Sequence, residues 1–186
     1  MTYHIAIDVS SVLRRTVCDL YSNLVTRPTG ATVRKAIEEA LAEQPEPNVT
    51  VIDFSHVTLL DFSCADEIVG KLLDDYQRAG GIPRTYFLIR GVHDAHLEAI
   101  EAVLERYDLA VIVQDDNGAV KLVGTLDDGA RRVWHLVRQR GRIVASDVEE
   151  ELGEPADMCS RVLDELWARR LVVRRDDGGV ALPHAS

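Results

Sequence analysis

Short continuous apolar runs alternate along the first 115 residues with stretches in which apolar residues recur at helical spacing. The runs at 49–54, 85–90 and 109–113 are rich in β-branched residues and bounded by turn-forming ones, which predicts buried strands. Over residues 65–73 and 95–106, apolar residues recur three and four positions apart, which predicts amphipathic helices. Strands that alternate with helices in this way predict an α/β fold, with a mostly parallel sheet covered by helices.

The first 45 residues are less regular. A strand is predicted over residues 4–9, and helical spacing over 33–41 predicts a helix that Thr29 or Thr32 caps. Residues 10–26 fit either a helix or a second strand paired with the first, because the segment DLYSNLV within them suits both. The periodicity leaves the two interpretations open.

The pattern changes after a turn at residues 114–118 and a strand-like run at residues 119–124. Three short helices are predicted, the first capped by Asp127 or Asp128, the second capped by Ser146 and the third following Pro155. Two short strands then flank the turn-forming residues 177–179. Three helices and a β-hairpin in this order are typical of a winged helix-turn-helix.

We therefore expect two domains, residues 1–123 and residues 124–186. The first carries 11 Lys/Arg against 19 Asp/Glu, a net charge of −8, and the second 10 against 12, a net charge of −2. Neither has the basic balance typical of nucleic-acid-binding domains. The acidic first domain would repel nucleic acid and anionic lipid and would suit a protein partner with a basic face, although acidic surfaces also serve solubility alone.

The composition, with 46% hydrophobic and 28% charged residues, is that of a globular protein, and no apolar run approaches the roughly 20 residues that span a bilayer. We expect a cytoplasmic protein with reduced thiols, because its three cysteines are widely spaced and form no C-x-x-C pair. His93 and His96 give only a weak metal signal, and Asp94 between them is expected to cap a helix. The sequence contains no phosphate-binding, zinc-protease or nucleophile-elbow motif, so we expect neither an enzyme nor a cofactor.

The segment from Val49 to Leu73, VTVIDFSHVTLLDFSCADEIVGKLL, resembles the STAS domain of anti-sigma-factor antagonists. In that family an apolar strand ending in Asp leads through a short loop to an Asp-Ser-Ser-Gly-like turn at a helix start. The likeness extends over roughly residues 1–115 in the order of strands and helices. It implies a STAS-like first domain.

The resemblance also implies a function. In these antagonists a serine at the helix start is phosphorylated by a partner, an ATPase of the histidine-kinase type that is also the anti-sigma factor. Here Asp61 matches the Asp of the motif, Ser63 matches its second Ser, and Phe62 stands where the phosphorylated Ser usually stands. The resemblance therefore implies a regulatory adaptor that has kept a protein partner and lost the usual phosphosite, unless Ser63 replaces it.

The expected partner-binding residues are His56, Asp61, Phe62, Ser63 and Cys64. A phosphate on Ser63 would be favoured by the helix dipole and would repel an acidic partner. Alternatively, Ser63 or Asp61 serves only as a helix cap, worth ~1 kcal/mol. Cys64 falls in the first helical turn, where the pKa of a thiol is lowered, although a free Cys more often behaves as a small buried apolar residue.

The alternative function is a transcription regulator, in which the winged helix binds DNA and the STAS-like domain senses a signal or dimerises. Its DNA contacts would come from Arg161 on the third helix and from Arg174 and Arg175 on the wing. Carboxylates on the same helix oppose contact with phosphates. The competing interpretation is that these arginines pair with nearby acidic residues and that the domain contacts protein, including a second copy in a homodimer.

Overall fold

The computed structural model describes residues 2–18 and 22–183 and centres on a five-stranded sheet of order β1-β3-β5-β6-β7. The first four strands are parallel, and β7 is antiparallel to β6. The α/β class and the mostly parallel sheet predicted from the sequence are confirmed. The strands are β1 (Tyr3–Asp8), β3 (Asn48–Asp53), β5 (Thr85–Arg90), β6 (Ala110–Gln114) and β7 (Val120–Gly124).

Helices from the first 106 residues cover one face of this sheet. Residues 62–78 form one continuous helix that consists of α3, a π-helical segment and α4, and π-helical segments are frequent at functional sites. The helices are α1 (Val9–Thr16), α2 (Arg27–Ala42), α3 (Phe62–Ala65), the π-helical segment (Asp66–Lys71), α4 (Leu72–Arg78) and α5 (Asp94–Arg106).

The region that the sequence left ambiguous contains both kinds of element. It holds α1 and then β2 (Asn23–Leu24), which pairs in parallel with β4 (Leu59–Leu60) and not with β1. Part of the DLYSNLV segment, residues 19–21, lies outside the described residues. Thr26, rather than Thr29 or Thr32, caps α2, because Thr26 is extended and its hydroxyl accepts from the N–H of Thr29.

The C-terminal unit places helices around a small three-stranded sheet of order β8-β10-β9. Asp127 caps its first helix through the N–H of Ala130, as one of the two predictions had it. The second helix is not capped by Ser146: its N-cap is Val144, whose N–H donates to the Asp147 carboxylate. The elements are α6 (Asp128–Arg140), β8 (Arg142–Ile143), α7 (Ala145–Leu152), α8 (Ala156–Ala168), β9 (Val173–Arg174) and β10 (Val180–Ala181).

The C-terminal unit packs on the second face of the five-stranded sheet. Alternate strand residues point to opposite faces, so Ile89 of β5 joins the core under α1 to α5, whereas its neighbour Leu88 joins the core under α6 and α8. Trp134 lies fully buried in that second core. The boundary expected after residue 123 would divide β7 before its last residue, and residues on both sides of it pack on the same sheet.

Two arginines that follow α8 bind the C-terminal unit to the first part of the chain through hydrogen bonds. Arg170 is half-buried, with a positive φ of 63°, and donates to the carbonyl oxygens of Tyr76 at 2.6 Å and Thr85 at 3.0 Å. Arg169 donates to the carbonyl oxygen of Asp108 at 2.6 Å.

Within residues 2–18 and 22–183, no helix combines the length and the apolar character needed to cross a bilayer.

Candidate docking site

The carboxyl ends of the parallel strands meet at one edge of the sheet, the edge where α/β proteins commonly bind their ligands. Asp8 ends β1, Asp53 ends β3 and Arg90 ends β5. The guanidinium of Arg90 donates to the Asp53 carboxylate at 2.6 Å, and burial, which acts to raise the pKa of Asp53, is outweighed by hydrogen bonds from Ser55 and Arg90 that lower it. This carboxyl edge is thus ordered by charged side chains.

The β2–β4 ribbon extends the same edge with exposed apolar side chains. The N–H of Thr58 donates to the carbonyl oxygen of Ser22 at 2.8 Å, which holds the two short strands in register. Leu59 on β4 is 52% exposed, Phe62 at the start of α3 is 42% exposed, and Val25 beyond β2 is exposed to the same degree as Phe62. We call Val25, Leu59 and Phe62 the apolar edge.

Asp61 is the residue that caps the helix carrying Phe62. Its Oδ1 accepts from the N–H of Cys64 at 2.8 Å and from the Ser63 hydroxyl at 2.8 Å. Ser63 is therefore a half-buried residue of the first turn and not the cap. A phosphate on Ser63 would meet the like charge of Asp61 and would break this hydrogen bond, which weakens the case for Ser63 as a substitute phosphosite.

Cys64 does not have the lowered thiol pKa expected from its place in the first helical turn. Burial, followed by the nearby charge of Asp61, raises the pKa of Cys64 to about 11. The thiol donates to the carbonyl oxygen of Thr26 at 3.0 Å, and the Cα of Cys64 lies against Gly30 of α2, where a Cβ would approach to 2.9 Å. Cys64 therefore packs α3 against α2 and contributes nothing to the exposed surface.

His56 lies on the loop between β3 and β4 and is exposed. Its Nδ1 is 3.9 Å from Oδ2 of Asp8, so the two side chains flank the carboxyl edge without a short hydrogen bond. His56, Asp61, Phe62 and Ser63 thus reach the same end of the molecule. Of the five residues predicted for partner binding, Cys64 alone is fully buried.

A buried ionic cluster joins the two chain segments that carry the apolar edge. Asp66 and Glu67 begin the π-helical segment and are only 1% and 2% exposed. Arg27, two residues beyond Val25, donates to Asp66 at 2.5 Å and to Glu67 at 2.8 Å. Three further cations complete the cluster: Arg34, Lys71 and Arg106.

The cluster keeps both carboxylates ionised. Burial acts to raise the pKa of Asp66, but hydrogen bonding and charge from Arg27 outweigh it and hold that pKa below its usual range. For Glu67, hydrogen bonds from Lys71 and Arg27 likewise outweigh burial and lower the pKa. Buried charges persist only when they are paired in this way, so the cluster locks the start of α2 to the helix that follows Phe62.

Sequence reasoning missed this cluster, although it left a signal. Asp66 and Glu67 interrupt the apolar face between Ala65 and Ile68, both of which are fully buried. Two adjacent carboxylates inside a buried stretch predict that cations come from elsewhere in the chain. Arg27 lies 39 residues away, and the sequence alone does not identify it as their partner.

The two histidines of the weak metal signal stack on each other, with ring centroids 3.5 Å apart. His96 is buried, its Nε2 lies 3.4 Å from the carbonyl oxygen of Thr58, and burial followed by the charge of His93 lowers its pKa. His93 occupies the N-cap of α5, so Asp94 is its first residue and not its cap. Across the part of the chain that the structure describes, no three His, Cys, Asp or Glu side chains converge as a metal site.

The arginines predicted to contact DNA are largely engaged within the C-terminal unit. Arg161 pairs with Asp157 one turn earlier on α8, at 3.2 Å. Arg174 pairs with Asp164 and stacks over Trp167. Arg175 lies exposed at the turn between β9 and β10. The remaining arginines of this unit that hydrogen-bond or pair with carbonyl or carboxylate groups are Arg131, Arg132, Arg138, Arg140, Arg142, Arg169 and Arg170.

A scan against protein-family models gives no match for this chain, and a search of the curated proteins gives none either. The function is therefore inferred from the geometry of the site residues.

Proposed function

We propose that the chain is a non-catalytic adaptor, in which a STAS-like unit docks a protein partner through the apolar edge. One observation carries this proposal: two large apolar side chains, Leu59 and Phe62, are exposed on a rigid support. Backbone hydrogen bonds hold the ribbon that carries Leu59, and the Asp61 cap and the buried ionic cluster hold the helix start that carries Phe62. Exposed apolar residues on a rigid support are typical of interaction sites.

The charges at this edge favour a partner with an apolar centre and a basic rim. Asp8 ends β1 at this edge, and exposed carboxylates follow β6 at Asp115 and Asp116. Opposite charge on the partner would steer its approach and reject acidic proteins. An ATPase of the histidine-kinase type, in the cytoplasm, is the partner that the STAS resemblance suggests, and the output would be regulation of transcription through protein contact.

The C-terminal unit enters the proposal as a winged-helix-like support. Its order of elements, helix, strand, helix, helix, strand and strand, agrees with that arrangement. A DNA-binding role has less support, because Arg161 and Arg174 are already paired with carboxylates and a groove-facing helix would bring Asp157 and Asp164 to the phosphates.

The test uses photo-cross-linking in cells that express the full chain. A photoreactive phenylalanine analogue replaces Phe62 in one variant and Ile82 in the other, since Ile82 is 70% exposed on the loop before β5, at the opposite edge of the sheet. The proposal expects a discrete adduct with one protein from position 62 that is absent from position 82, and expects Ser63→Glu to weaken it. Equal patterns from the two positions, or none from position 62, would refute docking at the apolar edge.

A further inference from the structure

The two edge strands of the five-stranded sheet are protected very differently. On β7, Arg138 donates to the carbonyl oxygen of Val120 at 3.1 Å and Arg131 donates to that of Gly124 at 2.7 Å. Both arginines belong to α6, and Lys121 adds a charge to the strand itself. Charged side chains that occupy edge carbonyls are a common defence against pairing with another strand. The β7 edge is therefore closed.

The β1 edge has no such protection. The N–H of Tyr3 donates to the carbonyl oxygen of Pro47, so Tyr3, Ile5 and Ile7 bond to β3, while His4, Ala6 and Asp8 direct their backbone groups away from the sheet. Among residues 2–18 and 22–183, no backbone or side chain bonds the outward N–H of His4 or Ala6. Strand β1 is six residues long and contains no Pro or Lys, and its residues Tyr3, His4 and Ala6 are exposed.

The second face of the sheet is also open over this strand. His4 and Ala6 stand beside Val49 and Val51 of β3 in the parallel register. Val49 and Val51 are buried under the C-terminal unit, whereas His4 and Ala6 are exposed. The cover therefore stops one strand short of the edge, and it leaves room for another strand to align with β1.

We propose that a second copy of this chain pairs with β1 in antiparallel orientation, about a twofold axis at Ala6. The sequence of β1 is complementary to itself in this register: Ala6 faces Ala6, His4 faces Asp8, and Ile5 faces Ile7 of the other copy. A one-residue slip would turn the apolar residues to the wrong face. A two-residue slip to an axis at Ile5 keeps the faces but places His4 opposite Ala6. Only the Ala6 register sets His4 opposite Asp8, whose carboxylate also caps α1 within its own copy.

The result is a continuous ten-stranded sheet, the sum of the two five-stranded sheets. Because the strands of the two copies run in opposite directions, their carboxyl edges point away from each other. Each copy keeps its apolar edge free, so the dimer does not depend on the proposed docking function and would present two docking sites at opposite ends.

The experiment is disulfide trapping in the full chain. Directly opposed residues of an antiparallel hydrogen-bonded pair have Cα atoms about 5.5 Å apart, within the range that a disulfide bridges. Under mild oxidation, Ala6→Cys should yield a covalent dimer, while Lys121→Cys on the closed β7 edge and the unsubstituted chain should not. Sedimentation should show a concentration-dependent dimer of the unsubstituted chain, and Ala6→Asp, which places like charges at the axis, should lower the association constant at least tenfold.

Circular dichroism of the reduced chains, at a concentration where the unsubstituted chain is a monomer, provides the control for folding. Because Ala6 is exposed, Ala6→Cys and Ala6→Asp should leave the thermal midpoint of the monomer nearly unchanged. A chain that sediments as a monomer at every concentration, or a dimer that Ala6→Asp leaves intact, would overturn the proposal. Equal cross-linking through Lys121→Cys and Ala6→Cys would overturn it as well.

Discussion

The shared sheet predicts that a change in the first core is felt in the C-terminal unit. Ile100 of α5 is fully buried beneath the face of the sheet that the C-terminal unit does not touch. Both tryptophans, Trp134 and Trp167, lie in the C-terminal unit, so their fluorescence reports its unfolding. If the two cores unfold together, Ile100→Ala should shift the fluorescence transition as much as the transition seen by far-ultraviolet circular dichroism.

The magnitude follows from the cavity that the substitution leaves. Truncating a fully buried Ile to Ala costs about 2–5 kcal/mol, because the lost transfer free energy adds to the cavity term. With a urea dependence of about 2 kcal/mol per molar, a loss of ~3 kcal/mol moves the midpoint by ~1.5 M. The exposed control Ile82→Ala should change the free energy of unfolding by no more than about 0.5 kcal/mol.

The assay is a urea titration of each variant followed by both signals in the same samples. The shared-core account expects one coincident transition, displaced equally for the two probes. A tryptophan transition that stays at the position of the unsubstituted chain, while the circular dichroism transition moves, would show that residues 124–186 unfold independently and would refute the reasoning.

Two further predictions concern the interior behind the apolar edge. Because the pKa of Asp66 is lowered in the folded state, its contribution to stability is complete above the usual carboxyl pKa and is lost as the pH falls through the lower, folded value. Asp66→Asn, measured by urea titration from pH 7 to pH 3, should therefore lower stability at pH 7 by about 1–2 kcal/mol, because solvent partly screens the charged hydrogen bonds from half-exposed Arg27. It should also flatten the acid decline by up to about 1.4 kcal/mol per pH unit, and an unchanged pH profile would contradict the ion pairing. In a timed reaction of the native chain with a thiol reagent, half-buried Cys18 should be labelled first and buried Cys64 only on unfolding, so labelling of Cys64 at the rate of an exposed thiol would contradict its raised pKa and burial.

Secondary structure was predictable wherever burial alone decides it. The run TYFLIR gave a strand over residues 85–90, which is β5, and the apolar spacing over 95–106 gave α5 to within one residue. The helix caps at Thr26 and Val144 were not predicted. Several polar residues compete for each cap, and the winner depends on where the extended backbone turns into the helix, which the three-dimensional path decides.

The packing of the C-terminal unit on the sheet was only partly foreseeable. Continuous apolar runs such as Val49 to Ile52 require cover on both faces, which indicates that some element lies on each. That the second cover is residues 124–186 follows from contacts such as those of Arg170 with Tyr76 and Thr85, which join residues far apart in sequence. Pairings of this kind leave no local pattern.

The most direct test of the adaptor account uses the protein that cross-links through position 62, purified on its own. Its affinity for the unsubstituted chain and for two variants is measured by calorimetry. Phe62→Ser should weaken binding at least tenfold, since a central aromatic side chain of an interface commonly contributes more than ~1.4 kcal/mol, a factor of ten in affinity. Ile82→Ser, a substitution of an equally apolar and more exposed residue at the opposite edge, should leave the affinity unchanged. Equal affinities for Phe62→Ser and the unsubstituted chain would contradict the claim that the apolar edge is the docking site.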